Sequence, residues 1–239
     1  MADRDSRRVV AEHTVKAFDE DIGELRALIA QMGGLAEEAI AEAMVALKRH
    51  DLEAAARIVE RDRAIDALEH EIERLAVRLI ALRSPMADDL REVVAALKIA
   101  GILERIGDYA KNIARRVPAL DGHGDMEPLS VLPAMASVAS DMIHDVLNAF
   151  AARDAEAARR VCEQDRAVDD FYNSIFRTLV TFMMENPKSI SQAAHLLFIA
   201  KHLERVGDHA TNVAEMVYYT ATGHHMGDRE TGALTRAGG

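Results

Sequence analysis

Apolar side chains recur at intervals of three and four residues along most of this chain. The segment 99–117 shows the pattern clearly, with apolar residues at positions 99, 102, 103, 106, 110, 113 and 117. This spacing places them on one face of a helix. Alanine, leucine, glutamate and arginine, which favour helices, are abundant, and alternating runs of the strand type are missing. The pattern predicts an all-α protein.

Helix breaks divide the chain into two sets of three helices. In the first half the breaks fall at Asp51, which can cap a helix, and at Pro85. A longer break at 117–130 holds two prolines and two glycines, after which Asp154 and Pro187 repeat the same order. Helices of about 30 residues are about 45 Å long, and short connections make neighbouring helices antiparallel. We therefore predict six long helices in two tandem three-helix bundles.

The two halves of the chain align with each other. Residues 99–117, IAGILERIGDYAKNIARRV, match residues 199–217, IAKHLERVGDHATNVAEMV, at an offset of 100, and eleven of the nineteen positions are identical. Upstream, residues 62–66 match residues 165–169 at an offset of 103. Such self-similarity marks a tandem duplication of one structural unit. The predicted boundaries are a first repeat at 1–117, a linker at 118–130, a second repeat at 131–220 and a flexible tail at 221–239.

Each repeat carries two acidic residues, four positions apart, on its last helix. They are Glu104 with Asp108, and Glu204 with Asp208. At 100° per residue they lie almost opposite the apolar stripe, so we expect them to face outward. Like charges at this spacing repel by roughly a few tenths of a kcal/mol, and a shared cation would reverse the sign. The pairs are therefore either part of an ordinary solvated face or ligands of a metal ion.

A second pair of aspartates lies on the preceding helix of each repeat. These residues are Asp62, Asp66, Asp165 and Asp169. Because neighbouring helices are antiparallel, four carboxylates can converge in each repeat. Oxygen ligands of this kind suit iron, manganese, magnesium or calcium. Ion pairs with Arg105 and Arg205 are the alternative use of these negative charges.

A glycine interrupts the last helix of each repeat between its two acidic residues. Gly107 and Gly207 each cost the helix about 1 kcal/mol relative to alanine. Because the same helix-breaking residue stands in both repeats, we predict close packing of a neighbouring helix at these two positions.

Composition narrows the class of protein. The chain has 239 residues, 49% hydrophobic and 29% charged, with a formal net charge of −11. This charge argues against general nucleic-acid binding, which requires a surplus of lysine and arginine, and suits cations or basic partners. With Cys162 as the single cysteine, no signal-like N-terminus and no apolar run of about 20 residues, we expect a cytoplasmic protein that meets membranes only through partners.

The sequence lacks the common signatures of catalysis. It contains no G-x-x-x-x-G-K, G-x-S-x-G or H-E-x-x-H motif. The Glu-x-x-His pair of ferritin-like di-iron proteins is also missing. We therefore expect no enzyme activity, no catalytic residues and no organic cofactor.

The stretch Ala194–Tyr219, together with its first copy Leu103–Ala114, resembles the PhoU family, whose mark is a duplicated Glu-or-Asp-x-x-x-Asp. The resemblance covers roughly residues 13–220. It implies two pseudo-symmetric three-helix bundles with multinuclear iron or other divalent metal, such as manganese, zinc or magnesium, at their surface. The implied metal ligands are Glu104, Asp108, Glu204 and Asp208, helped by Asp62, Asp66, Asp165 and Asp169. In the first repeat Arg115 and Arg116 replace Glu215 and Met216, so the second site is the better metal candidate.

The resemblance also implies a biological role. PhoU-like proteins are negative regulators of phosphate uptake and of the phosphate-starvation two-component response when phosphate is plentiful. The implied partners are the ATP-binding subunit of the phosphate ABC transporter and a phosphate-sensing histidine kinase, with homodimers expected. The alternatives are a metal-dependent enzyme or metal-storage protein of the helical-bundle type, and a purely structural helical scaffold.

Overall fold

The computed structural model describes residues 2–120 and 130–226, with side chains from residue 18 onward. Within these ranges the regular structure is helical, and the all-α prediction is confirmed. The first three-helix unit contains α1 (Ala2–Arg49), α2 (Leu52–Arg83) and α3 (Asp88–Ala114), followed by a single turn, α4 (Val117–Leu120). The second contains α5 (Leu132–Ala152), α6 (Ala155–Glu185) and α7 (Ile190–Thr222), with a 3₁₀ turn at Pro187–Ser189.

The predicted breaks between helices are confirmed by their capping contacts. The Asp51 side chain accepts a hydrogen bond from the amide of Ala54 at 2.8 Å, and α2 begins at the residue after Asp51. Asp154 does the same for α6, accepting from Ala157 at 2.9 Å. These caps satisfy amide groups that have no partner within the helix.

The predicted linker and tail both differ from expectation at their first residues. The linker at 118–130 opens inside α4, because Pro118 fits the first turn of a helix and the apolar residues Val117 and Leu120 are buried. The tail at 221–239 opens inside α7, which continues to Thr222 and ends at Gly223 with a positive φ of 74°. Residues 121–129 and 227–239 lie outside the described part of the chain.

The two units pack side by side through α1 against α5 and α3 against α7. Tyr109 and His209, which are equivalent residues of the two repeats, meet with a 3.0 Å contact between the phenol oxygen and the imidazole Nε2. Arg116, just after α3, contacts His195 in the first turns of α7, so α3 and α7 run antiparallel. We call this α3–α7 contact line the seam.

Both glycines of the last helices lie where a neighbouring helix comes close. A Cβ atom on Gly107 would lie 2.7 Å from Cδ1 of Ile65 on α2. A Cβ atom on Gly207 would lie 3.0 Å from an Asp165 carboxylate oxygen on α6. The prediction of close packing at these positions is confirmed, and in both repeats the approach brings the aspartates of one helix toward the acidic pair of the next.

Glu92 is a buried charged residue that connects the two units. It lies on α3 and is 3% exposed. Its carboxylate accepts a hydrogen bond from Arg26 of α1 at 2.5 Å and forms an ion pair with Arg153 at the end of α5. A buried carboxylate of this kind is stable only with its charge compensated, so these two arginines hold α3 against α1 and α5.

No helix within the described ranges combines the length and the apolar character needed to cross a lipid bilayer.

Candidate functional site

The first acidic site lies in the groove between α2 and α3. It contains the predicted residues Asp62, Asp66, Glu104 and Asp108. Asp62 is only 7% exposed, and its carboxylate forms an ion pair with Lys111 of α3. The same ammonium group also pairs with Asp108, one helical turn earlier. A lysine of the protein therefore already neutralises two of the four predicted ligands.

Glu104 shows that the carboxylates of this first site are close enough to interact. Burial raises the pKa of Glu104 most, and the negative charge of Asp108 raises it further. Glu69 and Asp66 on α2 add contributions in the same direction, while Lys111 lowers the pKa. Glu69 is a member of the cluster that the repeat pattern did not identify, because its counterpart at the offset of 103 is a tyrosine.

The second acidic site lies in the groove between α6 and α7. It contains Asp165 and Asp169 on α6 and Glu204 and Asp208 on α7. Burial raises the pKa of Asp165 to about 6, and the negative charges of the other three carboxylates add to the shift. A carboxyl group with this pKa takes up a proton just below neutral pH. The four residues predicted from the repeat thus form one electrostatically coupled cluster.

The two sites differ in where a lysine supplies positive charge. Thr211 stands at the position of Lys111, and its hydroxyl donates a hydrogen bond to the Gly207 carbonyl at 2.9 Å. In the second site Lys201 pairs instead with Glu204 at 2.5 Å, and the equivalent first-repeat residue is Gly101. In the first site the lysine therefore pairs with two aspartates, Asp62 and Asp108, whereas in the second site it pairs with the glutamate and lies over the Tyr172 ring.

The prediction that the acidic residues of the last helices face outward is wrong for Glu204. The Glu204 side chain is 13% exposed, whereas the Asp108 side chain is 40% exposed and Asp208 is also exposed. The helical-wheel argument considers one helix alone, but in the folded chain α6 packs beside α7 and covers part of its polar face. Asp62 is buried for the same reason in the first repeat, where α3 covers it.

Arg105 and Arg205 do not neutralise the acidic pairs. Both are exposed, and neither has an ion pair within residues 18–120 and 130–226. Both arginines instead lower the pKa of His209 at the seam, after the larger effect of its burial. The cations that contact the acidic residues are Lys111 and Lys201. Ion pairs within the protein therefore do neutralise some of the carboxylates, but the partners are lysines and not the predicted arginines.

The histidines near the second acidic site serve packing at the seam. The Tyr109 ring stacks on His209 and on His202, with centroid separations of 5.5 and 5.6 Å. Burial lowers the pKa of His202 to about 4, with smaller contributions from Arg116 and Arg205, so this ring is neutral at pH 7. His202 and His209 are therefore packing residues of the seam.

The donor chemistry of the second site fits a hard divalent cation. Burial raises the pKa of Asp165 most, repulsion from the other three carboxylates adds to it, and a bound cation would relieve that repulsion. In the described residues, no three histidine, cysteine, aspartate or glutamate side chains are positioned to hold one metal ion together. Metal binding at either site stays a prediction.

Asp165→Asn is expected to stabilise the metal-free protein by about 1 kcal/mol at pH 7.5, a value reduced for partial solvent exposure. The folded-state pKa of about 6 lies above the ordinary value of 3.8, so the charged carboxylate destabilises the fold above pH 6. This penalty diminishes as pH falls from 6 toward 4, where Asp165 is protonated. Urea denaturation in chelator at pH 7.5 and 4.5 measures both values.

The equivalent substitution in the first repeat, Asp62→Asn, is the matched control. Because it removes the partner of Lys111, we expect it to destabilise the protein at pH 7.5. Equal effects of the two substitutions would show that the charge difference between the sites has no energetic consequence.

Comparisons with known proteins agree with the duplicated fold. The family model described as PhoU domain matches residues 29–117 and 132–217. A phosphate-specific transport system accessory protein PhoU homolog from Zymomonas mobilis is 58% identical over 220 residues, covering 92% of this chain and 93% of the relative. A homolog of the same description from Caulobacter vibrioides is 45% identical over 221 residues, covering 91% of this chain and 95% of that protein.

Solved structures give the same result. The crystal structure of PhoU from Pseudomonas aeruginosa superimposes with a TM-score of 0.82 at 36% sequence identity, covering 87% of this chain and all of the other. PhoU from Streptococcus pneumoniae, a phosphate transport system regulatory protein, also has a TM-score of 0.82, at 31% identity. The sequence match and the structural match thus extend over both three-helix units, and the chain belongs to the PhoU family.

Proposed function

We propose that this protein is an accessory regulator of a phosphate transport system. The observation that carries the proposal is the near full-length match to relatives described as phosphate-specific transport system accessory proteins. The match includes both repeats, and with them both acidic sites. Its role is to restrain phosphate uptake and the phosphate-starvation two-component response when phosphate is plentiful.

The mechanism that we propose is that of a cytoplasmic adaptor without chemistry of its own. One partner is the ATP-binding subunit of the phosphate ABC transporter, and the other is the phosphate-sensing histidine kinase. The two repeats share one fold but carry different charges, because Lys111 and Lys201 lie at non-equivalent positions. Two related but distinct surfaces suit an adaptor that meets two different partners. To signal, the adaptor must bind one state of the kinase more tightly than the other.

A divalent metal at the second acidic site forms part of this proposal. Asp165, Asp169, Glu204 and Asp208 would hold iron, manganese, zinc or magnesium, and a homodimer would present two such sites. The metal would supply positive charge that offsets the repulsion among these carboxylates. The raised pKa of Asp165, about 6, supports this proposal. It shows that the ionised carboxylate is unfavourable in this site, and a neighbouring cation would stabilise that ionised form.

Genetic complementation tests the regulatory role. In a host lacking the gene, we expect phosphate-rich cells to express a phosphate-starvation reporter at a raised level and to take up more phosphate. The wild-type gene should restore both, whereas the double variant Asp165→Asn, Asp208→Asn should restore them poorly. The control is Glu60→Gln, Glu71→Gln, which removes the same charge from two exposed positions on α2.

Co-purification separates the adaptor from its alternatives. Wild-type protein should retain the transporter ATPase subunit and the kinase, and the second-site variant should lose at least one of them. The alternative of a metal-dependent enzyme or storage protein predicts a different result. In that case the wild type would retain neither partner, and the purified protein would turn over a phosphoester or oxidise ferrous iron. If the double variant Asp165→Asn, Asp208→Asn complements fully, the second acidic site has no part in the regulatory mechanism.

A further inference from the structure

A hollow of about 370 Å³ lies where the beginning of α3 meets the end of α7. Leu90 and Val94 on α3, with Met216 and Tyr219 on α7, form its apolar wall. Arg91 and Lys98 line the same hollow and add two positive charges. None of these residues belongs to either acidic site, so the hollow is a separate feature of the molecule.

The two cationic side chains of the hollow form few ion pairs and hydrogen bonds with other residues of the protein. Lys98 is exposed and forms no ion pair in the part of the chain that the structure describes. Arg91 pairs with Asp88, but its Nε atom is buried and has no hydrogen-bond partner. The apolar wall is also incompletely covered, because Leu90 and Val94 each remain 38% exposed. The hollow therefore presents apolar surface next to two cationic side chains, of which Lys98 has no ion-pair partner among the described residues.

The other end of the seam, where the end of α3 meets the beginning of α7, shows which side chains the protein places at the equivalent positions. There the Arg116 guanidinium lies 4.3 Å from the centroid of the Phe198 ring. It also donates a hydrogen bond to Nδ1 of His195 at 3.2 Å. An aromatic ring, an imidazole and a guanidinium thus pack against one another at the far end of the seam.

The end of the seam at the hollow has none of these three groups at the equivalent positions. At the offset of 100, Lys98 replaces Phe198, Ala95 replaces His195, and Met216 replaces Arg116. These equivalent residues border the hollow, and none of them is an aromatic ring. The hollow therefore lies where the other end of the seam holds the ring of Phe198, which is itself 54% exposed, and here a lysine stands at that position.

We infer that this hollow binds a small amphipathic anion, consisting of a flat apolar group that bears one carboxylate, phosphate or sulfonate. The apolar group would take the position that the Phe198 ring has at the other end of the seam, and the anion would pair with Lys98 and Arg91. A volume of 370 Å³ is within the range of about 300–1,000 Å³ that is typical of small-molecule sites. An inorganic anion would leave the apolar wall exposed, and a neutral ligand would leave the lysine unpaired.

Titration of the full-length protein with anilinonaphthalene sulfonate, a fluorescent aromatic anion, tests this inference. We expect one bound probe per chain. The triple variant Ala95→His, Lys98→Phe, Met216→Arg places the side chains of the other end of the seam in the hollow, and we expect it to weaken binding by about tenfold or more. Lys98→Met keeps the hollow open and removes one charge, so its effect should be smaller, about threefold to fivefold.

The reciprocal variant, Arg116→Met, His195→Ala, Phe198→Lys, serves as the matched control. It gives the other end of the seam the residues that border the hollow, so we expect two probes per chain instead of one. Circular dichroism and thermal melting establish that each variant is folded before binding is compared. Unchanged probe affinity in a folded variant with a filled hollow would overturn the inference.

Competition identifies the chemistry that the hollow recognises. Phenyl phosphate should displace the probe, whereas inorganic phosphate and phenol at the same concentration should not. Displacement by inorganic phosphate alone would contradict the amphipathic ligand and indicate a simple anion site. Because the hollow shares no residue with the acidic sites, failure here would leave the proposed regulatory function unaffected, and complementation tests that function independently.

Discussion

Replacing Arg26 and Arg153 together by methionine is expected to lower the free energy of unfolding by about 4 kcal/mol at pH 7. Both arginines pair with Glu92, which is 3% exposed. The double substitution leaves this carboxylate buried without a counter-charge, and that cost is larger than the value of any exposed ion pair. Urea denaturation followed by circular dichroism measures the loss.

Glu92→Gln in the same background should recover more than half of that stability. Glutamine has nearly the same shape and carries no charge, so the main penalty disappears. The second repeat offers a control, because Gln192 stands at the equivalent position and has no charged group to lose. Gln192→Ala should change stability by less than about 1 kcal/mol. If the arginine pair could be removed without loss, Glu92 would not be the link between the units that the contacts indicate.

The fold was largely predictable from the sequence because the chain repeats itself. Two copies of one pattern, each with a capping aspartate at Asp51 or Asp154, determine the number, order and approximate length of the helices. The repeat pattern does not predict how the two bundles pack against each other. Glu92 and Tyr109 meet residues of the other unit, and their repeat equivalents are Gln192 and His209. Alignment of the two repeats does not reveal such contacts, because the contacts depend on residues that differ between the repeats.

In the candidate sites, too, the repeated residues were predictable from the sequence and the residues that differ between the repeats were not. Asp165 and its three neighbours were identified because all four are repeated, and the structure couples them electrostatically. Lys111, Lys201 and Glu69 were missed because their repeat equivalents are Thr211, Gly101 and Tyr172. A search for charged residues at positions where the copies disagree would have found all three. The helical wheel also failed for Asp62, because burial there comes from a neighbouring helix.

Exchanging residue 111 with residue 211 is expected to reverse the difference between the two acidic sites. Lys111→Thr removes the ammonium group shared by Asp62 and Asp108. Because Asp62 is only 7% exposed, its carboxylate then lies nearly buried without a partner. We expect a loss of about 3 kcal/mol in chelator at pH 7.

The reverse substitution, Thr211→Lys, should stabilise the metal-free protein by about 1 kcal/mol. The new lysine would lie beside Asp165 and Asp208, whose mutual repulsion contributes to the raised pKa of Asp165. Lysine also favours a helix more than threonine does. Denaturation curves of the two single variants, recorded side by side in chelator, test the opposite signs.

The same two variants test which site takes a metal ion. Calorimetric titration with manganese should show the main site lost or weakened by about tenfold or more in Thr211→Lys, because a fixed ammonium group competes with the cation. In Lys111→Thr a second site should appear, and saturating manganese should restore much of the lost stability by mass action. If manganese binds both variants and the wild type alike, the four-carboxylate clusters are not the metal ligands. If instead Lys111→Thr loses stability and gains no metal, the lysine is a structural partner of Asp62 alone.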